Sequence, residues 1–245
     1  GIGNAAKDTV IGMQIAGIFN GTKTIKGVQI ACIVNYVRKT VSGTQVAAIL
    51  NTSSGPLKGA QVGLVNYARK MEGFQLGLIN MSTSSSGYSL GLFNWVTNGY
   101  HKLSFYATES MNTNVRLKTG NAKLYTSLIG GYHSVDTTKI YSGGLGFGHD
   151  FIFSNRISLS VELSGNALYT KAADEVSLLS KAESNLQIRL FKPVTLFVGP
   201  SYNVAEKSTV FTLSGAGVNR RLAFKKSEKS ASSSWVGWNI GLTLF

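Results

Sequence analysis

Three histidines, one cysteine and a thin scatter of charges are the side chains here with the chemistry to form a site. His101, His133 and His149 stand far apart, none has a ligating partner two or four positions on, and Cys32 is adjacent to none of them. Structural and catalytic metal sites draw their ligands at short, fixed spacings, so neither a metal nor another cofactor is expected. A barrel lipase or acyltransferase would need a His held beside a Ser or an acid. Serine is so common that pairing it with His133 or His149 carries no signal, no catalytic residue is assigned, and the expectation is a protein that is not an enzyme. Cys32 lies in the apolar run GVQIACIVN and reads as a small apolar side chain, with no second cysteine to form an intrachain disulfide.

Two sets of charged and polar residues say more. Arg116, Lys118, Glu162, Gln187 and Arg189 fall on the polar parity of segments whose other parity is apolar. If the apolar parity faces lipid, these five point into a lumen, where charges need partners or water. A salt-bridge and hydrogen-bond network filling the lumen is the favoured reading, and a weakly anion-selective constriction is the alternative. The second set, Arg38, Lys39, Arg69 and Lys70, lies in connectors two repeats apart. It reads as a basic rim, either solvated turn charge or a surface attracted to anionic headgroups or an acidic partner.

The elements that carry these residues begin with a repeat. GMQIAGIFN (12–20), GVQIACIVN (27–35), GTQVAAILN (43–51), GAQVGLVN (59–66), GFQLGLIN (73–80) and GYSLGLFN (87–94) recur every 14 to 16 residues. Such a period must be explained before any fold is assigned. About nine strand-forming residues followed by turn residues matches one tilted bilayer-spanning strand per repeat. The connectors alternate between basic (RKTVS, RKME) and Ser-rich (SSGPLK, STSSS), as every second turn of an antiparallel meander would. The first three repeats place Asn six positions after Gln and the later ones five, which reads as a β-bulge near the strand end.

From residue 100 on, the repeat gives way to strict alternation. In RISLSVELSGN, Ile157, Leu159, Val161 and Leu163 alternate with Ser158, Ser160, Glu162 and Ser164, and NLQIRLF and IYSGGLGFGHDF behave alike. Charged residues make up 14% of the chain, against roughly 25% in soluble domains, while 43% are hydrophobic without a single run long enough for a transmembrane helix. Trp95, Tyr100, Tyr132, Phe151, Phe153, Tyr169, Tyr202, Trp235 and Trp238 gather near strand ends, as interfacial girdles do. The formal charge of +13 comes with no nucleic-acid-binding motif, and its Lys and Arg residues fall between apolar runs, so no nucleic-acid partner is expected. The opening GIGNAAKDTV lacks a basic n-region and apolar core, as expected of a processed, exported chain. The close, WVGWNIGLTLF, resembles the aromatic-ended last strand of outer-membrane barrels, although Phe245 falls on the parity opposite Val236, Trp238 and Ile240.

The GxQxGLxN units, followed by NGYHKLSFYATES, KTGNAKLYTSLIGGYH, GGLGFGHDF and LFVGPSYNV, resemble uncharacterised surface-repeat outer-membrane β-barrel proteins of Bacteroidetes. The resemblance covers most of the chain and implies location in the bacterial outer membrane. It brings no catalytic residues.

These readings combine into an all-β fold: one antiparallel transmembrane β-barrel over residues 1–245, of about 14 strands with 12 to 16 as the range. Short repeat strands fill 11–96, and longer alternating strands fill 100–245. The expected role is a structural or accessory subunit that contacts outer-membrane lipid and another outer-membrane protein. Alternatives are a small porin-like passive channel for anions or small solutes, and a surface β-solenoid adhesin with the repeats as rungs. Both termini and connectors 38–42 and 69–72 are expected on the periplasmic side. Connectors 53–58, 82–86 and 206–232 are expected outside, with Lys225 and Lys226 open to protease. An Arg at Leu159 or Val161 should disrupt the lipid face, and Ser160→Arg should be milder if the lumen is wet.

Overall fold

The computed structural model describes residues 1–135, 138–170, 175–206 and 232–245. The expected outer loop 206–232, with Lys225 and Lys226, falls outside the described residues over 207–231. Strands are the only regular elements among the described residues. The chain divides into two units, one of residues 1–100 with 119–126 and one of residues 101–118 with 127–245.

In the first unit each repeat folds into two strands around a corner. In the first coils the Gly-x-Gln strand is the longer, as in Thr9–Ala16, Thr24–Ala31 and Val41–Ala47, and the Asn strand the shorter, as in Phe19–Thr22 and Val34–Val37; in later coils the lengths reverse, Phe74–Leu76 carrying Gln75 and Ile79–Ser85 carrying Asn80. Successive coils pair in parallel and in register: Gln14 on Gln29, Gln29 on Gln45, Gln45 on Gln61, Asn20 on Asn35, Asn35 on Asn51 and Asn51 on Asn66. This is a β-solenoid, and it corrects the expectation of antiparallel barrel strands over 11–96. The architecture proposed for the repeats in the adhesin alternative, repeats as rungs, is the one found.

The physical reason lies in the amides. Parallel in-register stacking sets each residue on its equivalent, so a buried amide can donate to the one beside it and accept from the one on its other side. Gln29 donates to Gln14 at 2.7 Å, Gln45 to Gln29 at 2.9 Å, Gln61 to Gln45 at 2.7 Å and Gln75 to Gln61 at 2.8 Å. The Asn ladder runs the other way: Asn4 donates to Asn20 and Asn20 to Asn35, and so on to Asn80 donating to Asn94, at 2.8–3.0 Å throughout. Asn94 donates at 2.7 Å to the Thr126 hydroxyl, so segment 119–126 terminates that ladder. An antiparallel meander would satisfy none of these amides from its equivalents.

Two details of the repeat are explained by stacking. The spacing change from six residues to five is no bulge. It is taken up at the corner, where Ala47-Ala48-Ile49 becomes Gly63-Leu64 while Val46 still pairs with Val62 and Asn51 with Asn66. A Cβ on Gly63 would come within 2.4 Å of the Ala47 carbonyl oxygen, so the tighter corner requires glycine. The glycine that opens the motif is more constrained still: Gly43 has φ of 139°, and a Cβ there would meet the Gly27 carbonyl oxygen at 1.9 Å. The connectors likewise stack on one edge of the solenoid, Lys70 against Pro56 and Ser84, so they do not alternate between two rims.

The second unit is built on eight antiparallel strands: Tyr100–Thr108, Thr113–Gly120, Tyr125–Val135, Thr138–Ile152, Ile157–Thr170, Glu175–Phe191, Val194–Glu206 and Ser232–Leu244. They close as a barrel, the first strand pairing with the last from Leu103–Leu244 to Thr108–Asn239. Eight strands replace the expected 14 because the repeats contribute none to it. Short turns alternating with longer segments at 133–137 and 169–179 would suit outer loops, but these segments are largely strand: one strand runs to Val135 and the next starts at Thr138, and the following pair runs to Thr170 and from Glu175.

Gly43→Ala should destabilise the solenoid by on the order of 2–4 kcal/mol, because it adds both a forbidden φ and a clash with backbone. Gly17→Ala is expected to be tolerated, since its Cβ would lie 3.7 Å from the nearest atom, the Gly1 carbonyl oxygen. Amide hydrogen exchange over residues 27–63 reads the difference: only the first variant should lose protection there.

Candidate functional site

Alternation in the barrel turns one parity of each strand outward and the other into the lumen. The inward side chains meet as a connected network. Arg116 is 1% exposed and lies between two carboxylates, Nε 3.3 Å from Glu162 and Nη1 2.5 Å from Glu183. Its Nη2 donates to the Tyr106 hydroxyl at 3.1 Å, and its guanidinium sits 4.5 Å from that ring's centroid. Lys118 approaches Glu162 at 3.7 Å, and Ser127 donates to the same carboxylate at 2.9 Å. Lys181 pairs with Glu183 at 3.3 Å and donates to Asn239, which donates to Asn185, which donates back to Glu183.

Further layers lie on either side. Toward one end Asp150 takes Lys102 at 3.3 Å and Gln187 at 3.3 Å. Toward the other, Glu109 accepts from the Asn203 amide and the Trp235 indole, each at 3.0 Å. Opposite charges thus neutralise one another along the lumen, and the space bounded by Ser104, Arg116, Lys118, Ser160, Asn185 and Gln187 holds no water-sized void.

Arg116, Lys118, Glu162 and Gln187 therefore lie together inside, as the parity argument expects. Arg189 does not join them: it keeps the inward parity but lies exposed where the strand pairing shifts register between Arg189 and Phe191. Sequence reasoning missed Tyr106, Asp150, Lys181, Glu183 and Asn239. Extending the alternation of NLQIRLF backward from Asn185 by one and two inward steps reaches Glu183 and Lys181, so the signal for them was present. Ser160 is packed against Asn185 and buried, so the wet lumen on which the milder effect of Ser160→Arg is conditional is not found at this position.

The outward parity is apolar: Phe147, Val161, Leu163, Ile188, Val198 and Ile240 are all exposed, Leu163 at 64%. Tyr132 and Tyr141 pack with tilted rings, centroids 5.4 Å apart, with Tyr141 paired to Tyr169 on the neighbouring strand, while Phe151, Phe153 and Phe191 group toward the other end. Trp235 departs from the expected girdle, because its indole is turned to Glu109. The histidines are scattered: His133 is buried and accepts from the Asn112 amide at 3.3 Å, while His149 packs on Phe151 with ring centroids 4.3 Å apart. No metal-holding group of His, Cys, Asp and Glu occurs among the described residues.

On the solenoid, Arg38, Lys39, Arg69 and Lys70 are all exposed along one edge. Lys70 pairs with Glu72 at 2.6 Å, and that hydrogen bond draws the Glu72 carboxyl below its ordinary pKa. Lys23, on the same edge, pairs with Asp8 at 3.2 Å.

No family model matches the chain, and no curated protein matches it. Among solved structures, the crystal structure of Neisserial surface protein A (NspA) is similar over 58% of this chain and 92% of that one, at 12% identity and a TM-score of 0.32.

Three substitutions test the filled lumen and the apolar face around it. Arg116→Met strands Glu162 and Glu183 without their shared cation and should cost about 3–5 kcal/mol, measured by urea unfolding from lipid vesicles. Val161→Arg puts a charge on the apolar face at about 2–4 kcal/mol, and Ser160→Arg should now be at least as damaging because it overfills a packed interior. A well-folded Ser160→Arg barrel would mean the lumen has room.

Proposed function

We propose that this protein is a structural or accessory subunit of the bacterial outer membrane, with its barrel as a filled membrane anchor and its solenoid as the part that meets other outer-membrane components. The observation that carries this reading is the barrel's inverted distribution of side chains, apolar outside and charged inside. Such a distribution suits lipid around the barrel. The Arg116, Glu162, Glu183 and Lys181 cluster occupies the cross-section with paired charges, which supports an anchor over the porin-like alternative. The adhesin alternative gains its rungs, but the solenoid's outer columns are rich in exposed Ile and Leu, which does not suit a wall bathed in water.

The connectors' basic edge supplies the candidate contact for an acidic partner or anionic headgroups, since each such cation near a charged surface contributes about 1 kcal/mol within a Debye length. The test has two arms. Purified protein in a planar bilayer should show no stable conductance steps, and regular steps would favour the channel. In membranes solubilised gently, changing Arg38, Lys39, Arg69 and Lys70 to Gln should leave the heat-modifiable gel migration of the folded barrel intact. The same change should reduce co-purification of outer-membrane partners at low salt, with the difference shrinking at high salt. Unchanged co-purification would leave the edge as solvated turn charge.

A further inference from the structure

The interior and exterior of the solenoid change character together across each coil. On the basic edge, the outside carries Lys23, Lys26, Arg38, Lys39, Arg69 and Lys70, and the inside is an ordinary apolar core. Ile25, Val37, Val41, Leu57, Ala68 and Met71 form that core, all fully buried. Toward the opposite corner the arrangement inverts. The inside is amide, the Gln and Asn ladders, with Gln29, Gln45, Gln61 and Asn35, Asn51, Asn66 fully buried. The outside there is aliphatic: Ile18, Ile33, Ile49, Leu64, Leu78 and Leu92 form one column at the corner, between 38% and 49% exposed. Flanking columns continue it with Ile15, Ile30 and Leu76 on one side and Phe19 on the other.

Between the two edges lie the aromatics. Tyr36, Tyr67 and Trp95 share one column of the Asn-bearing sheet, and Phe74 and Tyr88 share one on the Gln-bearing sheet. Read from edge to corner, the outer surface passes from cation through aromatic to aliphatic. That is the order of chemistry from bilayer surface to hydrocarbon. With coils about 4.8 Å apart, the corner column from Ile18 to Leu92 is about 24 Å long, longer than the isolated apolar spots that soluble surfaces tolerate.

Hydrocarbon also demands that backbone polar groups be satisfied within the protein. The corner meets part of that demand by coil-to-coil bonding: within the column the amides of Ile18, Ile33 and Leu64 donate to Ile2, Ile18 and Ala48 at 2.8, 3.2 and 3.2 Å, and just after it those of Ile79 and Phe93 donate to Leu64 and Leu78, each at 3.0 Å.

We propose that the aliphatic corner of the solenoid is immersed in lipid hydrocarbon, with its aromatic columns at the interface and its basic edge toward phosphate-bearing headgroups. The first unit is then a membrane-inserted β-solenoid in its own right. This inference rests on the proposed function only in placing the chain at a bilayer.

Cys32 offers the probe, since it lies exposed beside Ile33 on the apolar corner and is the chain's single cysteine. The full-length protein, labelled there with the fluorophore NBD and folded into phosphatidylcholine–phosphatidylglycerol vesicles, should show blue-shifted emission. Spin labels deep in the acyl chain should quench it several-fold more than spin labels near the headgroup, and aqueous iodide should hardly affect it. The same label on Lys39→Cys in a Cys32→Ser background should give the reverse. Iodide quenching of the Cys32 label as strong as that of free dye would overturn the proposal. Insensitivity to both lipid and iodide would also overturn it, assigning the corner to a second copy of the chain. A label on Val161→Cys, again with Cys32→Ser, reports the barrel separately. Deep lipid quenching at Val161 with aqueous quenching at Cys32 would sink the solenoid proposal while leaving the barrel anchor standing.

Discussion

Satisfaction of polar groups inside the fold is the constraint on which everything else here depends. A protein that turns its apolar side chains outward must place its polar ones inside, and a buried amide or charge without a partner costs about 1–3 kcal/mol or more. The two units meet this requirement by different routes. In the solenoid, translation by one coil sets each Gln and Asn beside an identical one, and the amide's paired donor and acceptor make identity sufficient for bonding. In the barrel no such repetition exists, and opposite charges from different strands meet across the lumen instead, as Arg116 meets Glu162 and Glu183.

These routes have different tolerances. A ladder distributes its stabilisation over equivalent links, so adding or losing a coil changes its length and little else. The barrel network is held by a few particular residues whose charges balance as a set. Removing one of them leaves its partners buried and uncompensated, which is more damaging than never having had the pair. Glycine plays a matching part in the solenoid: at Gly27, Gly43 and Gly59 the coils approach so closely that a Cβ would fall about 2 Å from the neighbouring carbonyl oxygen. The ladder spacing and the glycine column are one condition seen at two places.

The outer surface follows from what has been placed inside. Where the solenoid's core is apolar, around Ile25, Leu57 and Met71, its exterior is basic. Where its core is amide, its exterior is Ile and Leu. A chain that only needed solubility would have no reason to exchange the two. The barrel shows the same exchange through its middle, Ser160 and Glu162 inside against Val161 and Leu163 outside, while Met111, Ile140, Leu168 and Leu179 close one end of its interior as an apolar cluster.

Alternation of period two is a local property, so the chain's own order of residues determined the barrel strands, their inward parity and the presence of Arg116, Lys118, Glu162 and Gln187 in the lumen. The all-β character and the importance of the Gly-x-Gln…Asn repeat were legible in the same way. What the repeat builds was not. Nine residues between turns fit one membrane-spanning strand and one solenoid coil equally well, because strand propensity is silent about whether the next segment runs parallel or antiparallel. The alternating basic and Ser-rich connectors pointed to the wrong answer, since two coils apart in a stack and two turns apart in a meander give the same rhythm. Only the tertiary structure decided between them, through pairings such as Asn51 with Asn66 that close an amide ladder in one arrangement alone. It also decided which partners the lumen charges take. The sequence places Arg116, Glu162 and Glu183 on the correct faces, but which strands are brought opposite one another depends on barrel closure at Leu103 and Leu244, a contact between residues far apart in the chain.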